Sequence, residues 1–475
     1  MPKVNHYNAK LNHRKYIRDI YKNSGEFIQN ITLTSYGIYK YLNTYRGLFR
    51  SSYKHFVRFQ FLDSHLQKKV QLLKLKKLLI HSYQNVPFYR RTWKSIGFNP
   101  FLFKSFDQLS ELPIISREDL LRHHSDFIAV NSDKFRPLYN STGGTTQVPL
   151  EFLIDYKAQI EREVEQYITV QNSGYNFRDK TAILKTRIIY QDDFSNPWRY
   201  DFFRNYLFLS SFHLREDYMI EYLALLKKWK TKYIFAYPSA IFTLAKFALE
   251  KNFKLNINKV FTNSETIYPH YRKIIEKAFN CKVIDTYGHN EPGVWNSGQC
   301  SSDRIHLPLG LSYFEIVKDG LVQPQNSTGE LVETCLNNYS MPLIRYNIKD
   351  VCSINNKVCD CGLKSPTIDN IVGRIEDIIT LPDGRTVGRI FHVWKHLENT
   401  SQSQLVQESL DEIIFKVVPK KEFSKDDEKN IISSLKEQLG ENISISIEKV
   451  DNIKSTNERG KFRWAISKVS KSYHD

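Results

Sequence analysis

The chain has 475 residues, 41% apolar and 13% aromatic, too long for one ordinary core and with enough apolar material for two or three domains. Its net charge of +17 is concentrated at one end, where residues 1–80 carry 16 Lys or Arg against 3 Asp or Glu. No window approaches the ~18–20 uninterrupted apolar residues of a membrane span, and MPKVNHYNAKLNHRKY has no apolar stretch to act as a leader, so a soluble, cytoplasmic protein is expected.

In the basic amino-terminal region Tyr41, Tyr45, Phe49, Tyr53, Phe56 and Phe59 interleave with the cations. This pattern reads first as a solvated helical face that also carries core aromatics. Its second reading is a weak contact with the inner face of an anionic membrane. Binding of nucleic acid is not expected. From Gln67 to Tyr89 apolar residues recur at helical spacing until Pro87, predicting a helix that runs into a loop. A second helix is predicted near SREDLLRHH, with Ser116 and Asp119 at the spacing of a capping pair.

Tyr139 to Pro149 reads YNSTGGTTQVP, four hydroxyl side chains around Gly143 and Gly144, followed by a strand-like PLEFLI. Glycines let a backbone approach a ligand closely, and Ser and Thr hydroxyls donate to anionic oxygens. A phosphate is the guest this suits, although the GxxxxGK[ST] pattern is absent; the plainer reading is a polar hairpin loop. DYKAQIEREVEQYITVQNSG then reads as an amphipathic helix ended by Gly174. From there short β-rich runs (TAILKT, KYIFAY, NKVFTNS, KVIDTYG) alternate with helical ones (YMIEYLALLKKW, SAIFTLAKFALEKN, PHYRKIIEKAFN), which argues an α/β domain with parallel strands. Past Tyr313 strands and turns dominate. A boundary near Arg374 leaves a last unit of about 100 residues.

Ligands of α/β sheets bind where strands end, which singles out three segments. VFTNSETIYP offers Ser264 and Glu265, VIDTYGHNEPG offers Tyr287, His289 and Glu291, and LIRYNIKDV offers Arg345 and Asp350. An aromatic beside Gly288 gives a surface for a purine, Glu291 suits a hard cation such as Mg²⁺, and Asp350 can accept from both hydroxyls of a ribose. These are the parts of a nucleoside triphosphate site.

The order STGGTT, SE, YGxxE, RYxxxD, GRIED and GKFR resembles the adenylate-forming enzymes: acyl-CoA synthetases, luciferase and peptide-synthetase adenylation domains. With NVPFYR and LPIISREDL upstream, the chain is most similar to the phenylacetate-CoA ligase-like branch, which includes ligases of capsule and surface-polysaccharide gene clusters. The resemblance covers roughly residue 66 to the end. Ahead of it residues 1–65 are expected to be a basic aromatic, mostly helical extension, and the resemblance implies a multi-sheet α/β adenylate-forming domain over 66–373 and a small mobile α+β domain over 374–475.

On this resemblance Ser141, Thr142, Gly143, Gly144, Thr145 and Thr146 would hold the β- and γ-phosphates of ATP. Ser264 and Glu265 would lie near the adenine and Tyr287 would stack on it beside Gly288. Glu291 would ligate Mg²⁺, Asp350 would hold the ribose, and Arg374 would reach ribose or phosphates from the hinge. Lys461 would bridge the substrate carboxylate and the α-phosphate, and Tyr237 and Ser239 would line the acyl pocket. The implied reaction makes an acyl-AMP and pyrophosphate, then transfers the acyl group to CoA by family default, or to a sugar amine or other amine. Gln147 replaces the expected glycine of the phosphate loop and Glu376 the usual Asp of the hinge. A non-catalytic binding protein that keeps the fold is the third alternative.

Cys300 and His306 form C-x₅-H, and Cys359 and Cys361 form C-x-C. A structural Cys₃His zinc site requires the fold to bring both pairs together; otherwise the two late cysteines merely flank a turn. In the same branch these two segments resemble a metal-binding pair. Cys281, Cys335 and Cys352 read as ordinary strand residues.

Overall fold

The computed structural model describes residues 21, 24–141, 150–186, 196–211, 214–289, 291, 296–324, 326–374, 379–382, 386–387, 397, 399–453 and 465–469. The chain forms two compact units, residues 1–50 with 170–285 and residues 51–169 with 286–475. The fold is mixed α/β with several sheets, as expected.

In the first unit the strands run in the order Trp198–Asp201, Tyr206–Ser210, Thr181–Thr186, Tyr233–Ala236, Lys259–Thr262 and Lys282–Gly288. The outermost pair is antiparallel and the others are parallel. One face carries Ala182, Leu184, Leu207, Ile234, Ala236 and Val260 into a core shared with helices Glu216–Lys228, Pro238–Glu250 and Pro269–Phe279. Pro238 and Pro269 each stand in the first helical turn, where the fixed φ is already helical and the missing N–H costs no bond. The opposite face is aromatic: Phe235 and Phe261 stack with centroids 4.7 Å apart, and Tyr175 meets Tyr233 edge-on.

The sequence reading did not anticipate the Trp198–Asp201 strand. Its inward positions are Arg199 and Asp201, charged residues that break the apolar pattern of a strand, yet both are buried. Arg199 Nε donates to Gln29 Oε1 (2.5 Å), and Asp201 Oδ2 pairs with Arg204 Nε (2.5 Å). The edge of this strand is covered by helix Glu26–Thr44: Asn30 Oδ1 accepts from the Tyr200 N–H (2.8 Å) and Thr34 Oγ1 from the Phe202 N–H (3.1 Å).

In the second unit Leu138–Ser141 pairs antiparallel with Glu151–Ile154. A six-stranded antiparallel sheet follows the order Ile305–His306, Thr367–Arg374, Tyr346–Asn355, Thr328–Cys335, Ser312–Lys318 and Leu321–Val322. Helix Ser64–Asn85 is pinned to it by Gln71 Nε2 on the Ser312 carbonyl and Lys74 Nζ on the Gly310 carbonyl, both 2.7 Å. Pro87 does not lead into a loop, as the spacing suggested, but opens a second helix, Pro87–Ser95. Proline is tolerated there for the same first-turn reason, so it marks a helix start as readily as a helix end. Ser116 and Asp119 do form a reciprocal capping box, at 3.1 and 2.9 Å.

The last segment builds a sheet of Ser444–Lys449, Glu412–Pro419, Thr400–Gln407 and Ala465–Ser467. Helix Lys425–Leu439, capped by Ser424 and Asp427, contributes Ile431 and Leu435 to a core with Leu405, Ile413, Phe415 and Val417.

Candidate active site

In the first unit the candidate residues gather where parallel strands end, where backbone polarity and helix N-termini converge. Tyr237 and Ser239 follow Tyr233–Ala236; Ser264 and Glu265 follow Lys259–Thr262. The structure brings two of them into direct contact: Glu265 Oε2 accepts from the Ser239 N–H at 3.0 Å, a carboxylate at the start of helix Pro238–Glu250. Tyr237 is buried, its N–H donating to the Leu184 carbonyl at 3.2 Å. Ser264 takes a left-handed backbone with φ +71°, which redirects the chain as it leaves the strand. Beside it Asn263 Oδ1 is buried without a hydrogen-bond partner among the described residues. Such an acceptor can take a hydrogen bond from water or from a ligand.

The sequence reading passed over Lys185. It lies near the end of Thr181–Thr186, on the face opposite Leu184, with Nζ 5.4 Å from the centre of the Phe235 ring. Burial pushes its ammonium down to about 8. No ion pair to Lys185 exists among the described residues. One lysine closing TAILKT carries no signal of this.

In the second unit Tyr287 OH donates to Asp350 Oδ2 at 2.5 Å, joining residues 63 positions apart. Asp350 stands directly across the antiparallel ladder from Arg374. The pair sets an aromatic ring beside a carboxylate. Next to Gly288, His289 is buried between two acids: Nε2 lies 2.5 Å from Glu333 Oε2, and Nδ1 lies 3.3 Å from Glu291 Oε2. Glu333 also accepts from Ser312 Oγ. Burial opposes a charge on His289, but the two carboxylates outweigh it and push the imidazole up to about 10. Glu291 is therefore held by an imidazolium, with one carboxylate oxygen's partner assigned before any cation arrives.

Arg345, offered by the RYxxxD segment, turns inward instead. It clamps Glu315 through Nε to Oε2 and Nη2 to Oε1, each 3.1 Å, and donates to the Leu112 and Ser110 carbonyls.

Cys300, His306, Cys359 and Cys361 come together, all four ligand atoms within 4.8 Å of one another. Cys300 Sγ lies 3.7 Å from Cys359 Sγ, and Cys361 Sγ 3.2 Å from His306 Nε2. His306 Nδ1 lies 2.8 Å from the Ser365 carbonyl, an acceptor that requires a proton on Nδ1 and leaves the Nε2 lone pair turned toward the sulfurs. Burial disfavours the Cys359 thiolate, but hydrogen bonds from the Cys361 N–H and neighbouring thiols outweigh it and hold this thiol below its ordinary value. Donor types, donor number and imidazole tautomer all fit a closed tetrahedral zinc site.

Thr142, Gly143, Gly144, Thr145, Thr146, Gln147, Glu376 and Lys461 lie outside the described residues, as do the side chains of Ser141 and Arg374. The strands Leu138–Ser141 and Glu151–Ile154 bracket the first of these segments.

Residues 379–468 match the family model of the CapK C-terminal domain. The chain is 26% identical over 377 residues to Protein CapK of Staphylococcus aureus, covering 76% of this chain and 80% of that one. It is 23% identical over 334 residues to a phenylacetate-coenzyme A ligase of Thermus thermophilus, covering 66% and 72%. Among solved structures, 2-hydroxyisobutyryl-CoA ligase in the postadenylation state with 2-HIB-AMP superposes with a TM-score of 0.66 at 19% identity, over 86% of this chain and 91% of that one; this is a likeness of fold.

Proposed function

The chain belongs to the adenylate-forming superfamily, in its phenylacetate-CoA ligase-like branch, and on that premise we propose that it is an AMP-forming ligase that activates a carboxylic acid as its acyl-adenylate. The observation that carries the reading is the Tyr287 hydroxyl on Asp350, with Arg374 across the ladder. It supplies a ring for a purine next to a carboxylate for the ribose hydroxyls.

In the first step a carboxylate oxygen of the substrate attacks the α-phosphorus of ATP. The new P–O bond forms as the bond to the β-phosphate breaks, and pyrophosphate leaves. No protein nucleophile is needed; the work is orientation and charge. Ser141 to Thr146 are assigned to the departing phosphates and Lys461 to the charge growing at the α-phosphate. Glu291 would hold Mg²⁺, which when bound neutralises phosphate oxygens. His289 and Glu333 keep Glu291 oriented. Tyr237, Ser239 and the cation of Lys185 are assigned to the acyl side. The Cys₃His cluster is assigned to structural zinc, because four protein ligands leave no open position.

For the second step CoA is the acceptor we favour, supported by the names of the relatives as CoA ligases. Direct transfer to a sugar amine or other amine is the alternative, and surface polysaccharide biosynthesis the setting. The basic amino-terminal region belongs to the same reading as a weak contact with an anionic membrane. The test is acid-dependent release of pyrophosphate and AMP across a panel of carboxylic acids, with Asp350→Ala beside the unmodified chain. Acid-stimulated turnover that falls in the variant supports the ligase. A folded protein that binds no ATP and is stimulated by no acid leaves the non-catalytic reading standing.

A further inference from the structure

Helix Glu26–Thr44 is built with two contrasting faces. Its inner face is polar and small, with Gln29, Gly37 and Thr44 buried, and Tyr41 stacks on Phe177 at 5.0 Å. At about 100° per residue, Phe27, Ile28, Ile31, Ile38, Tyr39 and Leu42 fall on one continuous arc roughly 120° wide, opposite Gly37 and Thr44. Every one of them is exposed: Phe27 at 76%, Tyr39 at 64%, Ile28 at 53%, Ile31 at 48%. A helix that packs through its polar side and shows an apolar stripe outward inverts the usual arrangement of a soluble protein.

The charge around the stripe selects what covers it. Between residues 20 and 62 Glu26 is the only acid, against Lys22, Lys40, Arg46, Arg50, Lys54 and Arg58. Arg46 and Arg50 are exposed just past the helix end. Residues 1–50 hold nine Lys or Arg against two Asp or Glu, a net +7. Pairing the stripe with a second copy would press two such segments together, and like charges oppose it. An anionic lipid surface instead offers acyl chains for the stripe and headgroup charge for the flanks. No described helix is long and apolar enough to cross a membrane, so the helix lies in the interface rather than through it.

We infer that the outer face of helix Glu26–Thr44 is a docking surface for an anionic bilayer, with the helix lying in the plane of the interface. This rests on the weak membrane contact proposed above and is independent of the ligase chemistry. The test is co-sedimentation of the full chain with vesicles of phosphatidylcholine alone and of phosphatidylcholine with phosphatidylglycerol, at low ionic strength. Binding is expected only with phosphatidylglycerol. The double variant Ile31→Asp, Ile38→Asp should partition at least roughly tenfold more weakly. Arg46→Gln and Arg50→Gln, which leave the stripe intact, should each weaken binding about fivefold. The altered side chains are exposed, and an unchanged circular dichroism spectrum and thermal transition without vesicles check that each variant is folded.

Equal binding to neutral vesicles overturns the proposal, as does a dimer that the aspartate pair dissolves, which makes the stripe an interface between copies. Vesicle binding that survives the aspartate pair also overturns it while leaving the membrane contact to other basic residues. No binding to either vesicle removes both.

Discussion

Lys185 gives the sharpest physical test, because an ammonium largely withdrawn from water, with no acid paired to it among the described residues, lowers the stability of the fold that holds it. Its folded value is about 8 against an ordinary 10.5. At about 1.36 kcal/mol per unit, the charge costs about 3 kcal/mol wherever both states are protonated, that is below pH 8. Between pH 8 and 10.5 the unfolded chain binds more protons than the folded one, so the cost fades and stability rises with pH. The attraction to the Phe235 ring returns roughly 1–2 kcal/mol. Lys185→Met keeps the length and apolar stem, so it should be more stable than the unmodified chain by about 1–2 kcal/mol at pH 7, with the gap closing by pH 10. Urea denaturation at both pH values measures this. If the charge is kept for a ligand, the same variant loses acid-dependent pyrophosphate release while gaining stability. A variant no more stable at pH 7, or a gap that does not change with pH, refutes the reasoning.

Lys461→Ala should lower adenylation by roughly 10²-fold or more and leave ATP affinity nearly unchanged; unaltered acyl-AMP formation would remove Lys461 from the chemistry. The purified chain should carry about one zinc ion, and Cys361→Ser should lose most of it, as read by elemental analysis. A zinc-free preparation that is folded and active would make the cluster incidental. Glu376→Pro, which fixes φ at the hinge, should retain acyl-AMP formation and lose transfer to the acceptor. Transfer of supplied acyl-AMP at the unmodified rate would rule out a rotating last domain.

The regular part of the fold was legible because its physics is local. TAILKT, NKVFTNS and KVIDTYG are short β-branched runs between helical ones, and each became a parallel strand. WRYD was not legible, because Arg199 is inward only by virtue of Gln29, 170 positions away, and Asp201 by virtue of Arg204 in the turn that follows. The same limit applies within the site. Tyr287 and Asp350 could each be named from its motif, but the bond between them depends on the fold. Glu333 sits in GELVETCL, where period-two alternation cannot tell that both faces are covered, and nothing in the string pairs it with His289. The cysteine spacings suggested metal, whereas the tautomer of His306 comes from the Ser365 carbonyl, which no spacing encodes.

The strand Thr367–Arg374 has a consequence for timing as well as place. Its first residue pairs with His306 of the Cys₃His cluster, and its last stands across from Asp350. Seven steps of extended chain span about 23 Å, and the pairing with Tyr346–Asn355 shifts register once on the way, between Val351 and Ser353. During folding this one strand must settle at both ends, so Cys361→Ser should slow the appearance of hydrogen-exchange protection near Asp350 as well as at the cluster.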